Sequence, residues 1–159
     1  MKTFYLASMI VVVLVFNFCG CTSPQSDQLT QKQKEQVKSE LQTVLDSFCV
    51  KWVALDEEAV LKFYSTDMVR VGKNKQLDFQ AEKKIWDGVK DFSSAKIDPI
   101  HVDIIALSKN CAISTWVGNT EYLAKSGDTL KLKNQVYTNV FQKINGQWKI
   151  IYEHYSAFN

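Results

Sequence analysis

Histidine is nearly absent from this chain. His101 and His154 are the only two among 159 residues, too few for the imidazole-rich ligand sets of zinc or non-haem iron sites. Motifs that announce a reaction are also missing. There is no Gly-rich phosphate loop, no Gly-x-Ser-x-Gly, no Cys-x-x-Cys and no His-Glu-x-x-His. Neither sign of charge is in excess: 19 basic residues against 17 acidic ones leave a formal +2, no electrostatic footprint for nucleic acid. Neither a metal nor a cofactor is expected. No apolar run is long enough to span a bilayer comfortably: the longest, Phe4 to Phe18, has about 15 residues where roughly 20 are needed. Internal repeats and low-complexity segments are absent, so the length provides for one domain. With 46% apolar and 23% charged residues, the chain can build an ordinary packed core.

What is present begins with an address. Lys2 followed by the short apolar run reads as the n-region and h-region of an export signal. Phe18-Cys19-Gly20-Cys21 then resembles the lipobox of bacterial lipoproteins, in which a small residue precedes a cysteine that is diacylated and becomes the new N-terminus. Gly20 and Cys21 fit; Phe18 and Cys19 depart from the usual leucine and small residue. The expectation is a signal peptide over 1–20, a lipid-anchored tether over 21–30, and a domain over 31–159. The alternatives are an ordinary signal peptide cut nearby or an uncleaved anchor helix. Acyl chains contribute about 0.8 kcal/mol per buried CH₂, so the resemblance implies membrane attachment through lipid on Cys21. The mature protein would be exported, on the outer membrane or the periplasmic face. That compartment permits disulfides; Cys49 and Cys111 either bridge or serve as small buried hydrophobes.

From Gln31 the pattern turns helical. Val37, Leu41, Val44, Leu45, Phe48, Trp52 and Leu55 recur at spacings of three and four, one apolar stripe on a long helix. Asp56-Glu57-Glu58 marks a second helix start, with Asp56 as cap, and Ser65-Thr66-Asp67 ends it. Met68 to Val71 reads as a short strand closed by Gly72. Phe79 to Phe92 reads as a third helix with Ile85, Trp86, Val89 and Phe92 on one side. Beyond Lys96 the period becomes two, and Ile100–Leu107, Cys111–Tyr122, Leu130–Ile144 and Trp148–Ser156 read as strands. Asn145-Gly146 between alternating flanks suits a type I′ hairpin. Helices followed by an antiparallel sheet give an α+β fold with the helices on one sheet face.

The last hairpin carries a resemblance. Phe141-Gln142-Lys143-Ile144-Asn145-Gly146-Gln147-Trp148 running on to His154-Tyr155-Ser156 resembles the C-terminal signature of the nuclear transport factor 2-like superfamily. Its SnoaL-like branch and the calcium/calmodulin-dependent kinase II association domain carry a similar aromatic-rich strand, Asp/Asn-Gly turn, Trp and His-x-Ser. Trp52 to Asp56 and Phe63 to Asp67 are similar to that family's junction between helices one and two, whereas Gly72 to Asp98 matches poorly. The resemblance implies a cystatin-like cone, a strongly bent sheet wrapped around a long helix with a cavity inside, and a homodimer. The family hosts isomerases, dehydratases, cyclases, transport factors and scaffolds, so fold alone does not give function.

Within that cone the sharpest candidate is His154, as general base or ligand contact; a core histidine bonded to its neighbours is the alternative. Strand alternation puts Trp148, Ile150, Tyr152, His154 and Ser156 on one side. A two-residue turn pairs Phe141 with Ile150, Asn139 with Tyr152 and Tyr137 with His154. A three-residue bulged loop would instead bring Thr138 and Val140 onto the His154 face. The candidate ligand-binding set is Trp52, Tyr64, Trp86, Trp116, Tyr137, Asn139, Tyr152 and His154, read against the plain alternative of packed core. In the kinase association domain an arginine takes the position matching Asn139, which weakens an analogy with anion recognition. For isomerase-type chemistry the carboxylate candidates are Asp46, Asp67 and Asp103, none singled out by pattern. Three readings stay open. The first is a lipid-anchored, non-catalytic module that binds a small apolar or weakly acidic molecule. The second is an isomerase, dehydratase or cyclase using His154 with a nearby Tyr or Asp. The third is a dimeric interaction scaffold.

Overall fold

A computed structural model describes residues 28–157; the export signal, Cys21 and most of the tether lie outside the described residues. Helix α1 runs over Gln31–Val53. It starts where Thr30 and Gln33 form a reciprocal capping box, Thr30 Oγ1 accepting from Gln33 N at 3.3 Å and Gln33 Oε1 from Thr30 N at 2.9 Å. Its stripe is as read: Val37, Leu41, Phe48 and Trp52 are buried, with Val44, Leu45 and Leu55 packed against them. Asp56 caps α2, Glu57–Leu61, accepting from Ala59 N at 3.1 Å.

Here the chain departs from the expected order. Helix α2 ends at Leu61, and strand β1 occupies Tyr64–Gly72, taking in the Ser65-Thr66-Asp67 segment assigned to a helix end. A second, unexpected strand, β2, Lys75–Asp78, folds back onto β1. The turn between them uses Lys73 at φ 49° and Asn74 at φ 61°, a left-handed pair without the glycine that usually signals it. Asp78 then caps α3, Phe79–Asp87, which runs into a 3₁₀ turn at Gly88–Asp91. Strand β3, Phe92–Ser108, begins well before Ile100. It is an edge strand, where Pro99 is tolerated because a missing N–H breaks no ladder on the solvent side. Strands β4 (Cys111–Ala124), β5 (Thr129–Ile144) and β6 (Gln147–Ala157) complete the fold.

The six strands form one sheet in the order β2-β1-β6-β5-β4-β3. It is antiparallel except for β1 and β6, which run parallel, so the sheet is mixed. It curls around α1 and α3 as the α+β cone, and the core of Leu41, Phe48, Trp52, Met68, Phe141 and Ile150 fills the space between. Large side chains buried in this way contribute about 1.5–3 kcal/mol each. Cys49 and Cys111 are unbridged.

The final hairpin decides what faces the cavity. Asn145 and Gly146 have φ of 51° and 80°, the two positive values of a type I′ turn. Lys143 pairs with Trp148 and Phe141 with Ile150, as a two-residue turn requires. The next pair is Val140 with Tyr152, so Ile151 is an extra residue in β6. This bulge resets the alternation. Trp148 and Ile150 are buried before it; Glu153 is buried after it, while His154 is exposed and pairs with Thr138. The expectation that Tyr152 and His154 share the inner face with Ile150 is therefore corrected.

Candidate functional site

A cavity of about 480 Å³ opens between α3, the β1–β2 hairpin and the far ends of β4 and β5. Its walls are largely aromatic, with Trp52 from α1, Trp86 from α3, Phe92 from β3 and Tyr122 from β4. Lys73 and Lys75 stand at the β-hairpin side.

At its inner end lies the chain's only arginine, set against eighteen lysines. Arg70, on β1, holds two buried carboxylates at once. Its Nη1 is 2.5 Å from Glu82 Oε2, and its Nε is 3.1 Å from Glu153 Oε1. Glu82 is placed by α3, where it shares the buried face with Trp86, whose indole N–H donates to Glu82 Oε1 at 3.0 Å. Glu153 pairs directly with Arg70 across the parallel β1–β6 ladder and accepts from the Tyr64 hydroxyl at 3.2 Å. A planar guanidinium suits this double engagement better than a lysine ammonium. Burial pushes the Glu153 carboxyl up to about 7, with the Glu82 charge adding to the rise and Arg70 and the Tyr64 hydrogen bond opposing it. Burial works against the Arg70 charge, but Glu153 and Glu82 outweigh it and hold the guanidinium protonated above its ordinary range. Burial, followed by the Glu153 charge, raises the Tyr64 and Tyr137 hydroxyls well above the usual phenol value.

Farther out, polar groups on the cavity wall are half used. Gln135 donates through Nε2 to the Tyr137 hydroxyl at 3.3 Å and the Tyr155 hydroxyl at 3.2 Å. Trp52 Nε1 donates to the Tyr122 hydroxyl at 2.7 Å. Each of these phenols thus accepts a hydrogen bond, and among the described residues none of the three O–H groups has an acceptor of its own. Gln135 Oε1 is buried and likewise unpaired. The cavity therefore offers three convergent O–H donors and one acceptor above an apolar floor, a pattern that orients a small molecule bearing an oxygen acceptor.

A second, smaller chamber of about 250 Å³ lies on the other side of Trp52 and Tyr137, between α1 and strands β3 to β6. The two rings meet edge to face with centroids 5.5 Å apart and form the partition. Trp116 lies in this chamber, its ring folded over Gly118.

The candidate residues from the sequence divide between these spaces. Tyr64 and Trp86 line the front cavity; Trp116 and Asn139 line the rear chamber; Trp52 and Tyr137 line both. Tyr152 and His154 line neither, because the Ile151 bulge turns them outward. Asp46 sits on the rim of the rear chamber beside Gln42. Asp67 and Asp103 are exposed and away from both. Ile85, read as part of the α3 core face, is 48% exposed at the cavity edge, and Glu82 takes the buried place at 1%. Arg70, Glu82, Glu153, Gln135, Tyr122 and Tyr155 were not among the candidates. A lone arginine in a lysine-rich chain was the available signal for Arg70. Glu82 carried none, because a carboxylate inside an amphipathic pattern reads as a solvated face.

The fold recurs in solved structures of low sequence identity. A proposed scytalone dehydratase from Novosphingobium aromaticivorans superposes with a TM-score of 0.72 at 15% identity, covering 82% of this chain and 89% of that one. A proposed calcium/calmodulin-dependent protein kinase II association domain from Xanthomonas campestris gives 0.65 at 20%, over 75% and 86%. A nuclear transport factor 2-like superfamily protein from Salmonella enterica serovar Typhimurium gives 0.66 at 16%, over 79% and 93%. No curated protein matches the sequence significantly. The SnoaL-like domain profile matches residues 41–159, from the middle of α1 through the whole sheet, and the chain belongs to the SnoaL-like domain family.

Proposed function

We propose that the protein is exported, held to a membrane by lipid on Cys21, and binds a small, weakly acidic or carbonyl-bearing apolar molecule in its front cavity without transforming it. The observation that carries the binding reading is the set of three phenol hydroxyls, on Tyr122, Tyr137 and Tyr155, each with its own hydrogen unspent over an aromatic pocket. Such donors favour an oxygen that carries negative charge or a strong dipole. A general base in hydrogen-bond reach of the same cavity is what turnover would need. Glu82, the carboxylate on the front cavity wall, is tied to Arg70 and Trp86, and Glu153 lines the rear chamber instead. The anchoring reading rests on the Lys2 to Cys21 segment; metabolic labelling with an alkynyl fatty acid should mark the wild type and not Cys21→Ala.

Binding is tested by titrating the full-length protein with 4-nitrophenolate, an acidic phenol whose absorption responds to hydrogen bonding. Saturable binding is expected, weakened about tenfold when Tyr137→Phe and Tyr155→Phe together remove two donors. No saturation up to millimolar concentration would exclude the reading. A homodimer is proposed through the outer sheet face, where Ile105 and Leu107 of β3 are each 51% exposed. The neighbouring fold of an association domain accords with this.

A further inference from the structure

The rear chamber presents oxygen atoms with nothing to accept. Asn139 and Glu153 are direct partners across β5 and β6, so their side chains leave one sheet face about 5 Å apart. They are 6% and 2% exposed. Asn139 Oδ1 and Glu153 Oε1 are both buried, and among the described residues neither accepts a hydrogen bond. Arg70 Nε stands 3.1 Å from that Oε1, an ion-pair contact that leaves the oxygen without a hydrogen bond. Buried acceptors without donors are costly, and here two of them face one space.

Charge gives the sign of the missing partner. Asp46 and Glu153 line the chamber, and among the described residues no Lys, Arg or His does. The adjoining cluster sets Glu82 and Glu153 against Arg70 alone, which leaves one negative charge uncompensated when Glu153 is ionised. The remaining walls, including Phe48, Trp116 and Ile150, are apolar. At about 250 Å³ the space falls below the roughly 300–1,000 Å³ of drug-sized sites, which limits it to one ring with a short arm.

We infer that the rear chamber is a second binding site, distinct from the front cavity, for a small arylalkyl ammonium. Its N–H groups donate to Asn139 Oδ1 and Glu153 Oε1, and its ring packs on Phe48, Trp116 and Ile150. The inference is independent of the front-cavity reading, which calls for a ligand of opposite hydrogen-bonding character.

Calorimetry of the full-length protein with 2-phenylethylammonium tests it, with phenylacetate as the anion of matched size. The ammonium should bind saturably and phenylacetate at least about tenfold more weakly. Asn139→Leu, which replaces an unsatisfied buried amide by an apolar group of similar volume, should weaken the ammonium about tenfold while the protein stays folded. Val102→Trp, at a chamber-lining position that is 38% exposed, should block it without disturbing the core. Saturating 4-nitrophenolate should leave the ammonium affinity unchanged. Equal binding of phenylacetate, no saturable ammonium binding, or unchanged affinity in both variants would overturn the inference. Displacement by 4-nitrophenolate would place the ammonium in the front cavity, removing the second site while leaving the front one intact.

Discussion

Arg70 is the residue on which the interior electrostatics turn. One guanidinium compensates two carboxylates that helix α3 and strand β6 bring into the core. Removing one partner from a buried ion pair leaves charge without compensation, which costs about 3–5 kcal/mol. Arg70→Met should therefore lower unfolding free energy by about that amount in urea denaturation, a loss comparable to that of a large core side chain. Glu153 makes a separate prediction through its proton. Its folded-state value of about 7 lies above the ordinary carboxylate value, so the folded protein holds a proton that the unfolded chain has released. Its contribution to stability is complete below about pH 4.5 and falls away as pH rises through about 7, by on the order of 3 kcal/mol. In Glu153→Gln that decline should vanish from denaturation midpoints measured between those two values, leaving only the slope of other groups. A decline of equal size in the variant would assign it elsewhere.

Among the elements, the β4 bend around Gly118 is the least tolerant of added volume. A Cβ there would meet the Trp116 ring at 2.5 Å and the Asp98 carbonyl oxygen at 2.6 Å. Gly118→Ala should cost about 1–3 kcal/mol and displace the Trp116 ring, changing the near-ultraviolet circular dichroism while the far-ultraviolet spectrum holds. The Ile151 bulge is a different kind of device. Deleting Ile151 should leave Ile150 on Phe141 and Tyr152 on Val140, so Glu153 and Tyr155 stay inward and the protein folds; amide exchange of the β5–β6 ladder reports this directly. Helix α1, the Asp56 cap and the Asn145-Gly146 turn were all legible, because each depends on neighbours within a few residues. The bulge was not legible, since an extra residue in one strand is fixed by β1 and β5 on either side. That single residue moved His154 from the expected site to the surface and brought Glu153 in. Strand β2 escaped notice for a local reason: Lys73-Asn74 makes its turn without glycine. Glu82 escaped because a helix face is read from apolar side chains, and its partners lie on other elements.

At the scale of the whole molecule, the cone encloses two spaces of opposite demand separated by Trp52 and Tyr137. The front one supplies donors, the rear one acceptors. Anchoring at Cys21 would hold both near a membrane surface, with the outer sheet face left for a second copy. The most direct test of the front-cavity account is native mass spectrometry of the full-length protein isolated from the cells that make it. A dimer carrying a displaceable small molecule with an oxygen acceptor, lost when Tyr137 and Tyr155 both become phenylalanine, is the predicted result. A wild-type protein that carries no bound small molecule, and which stays so after 4-nitrophenolate is added, would contradict it.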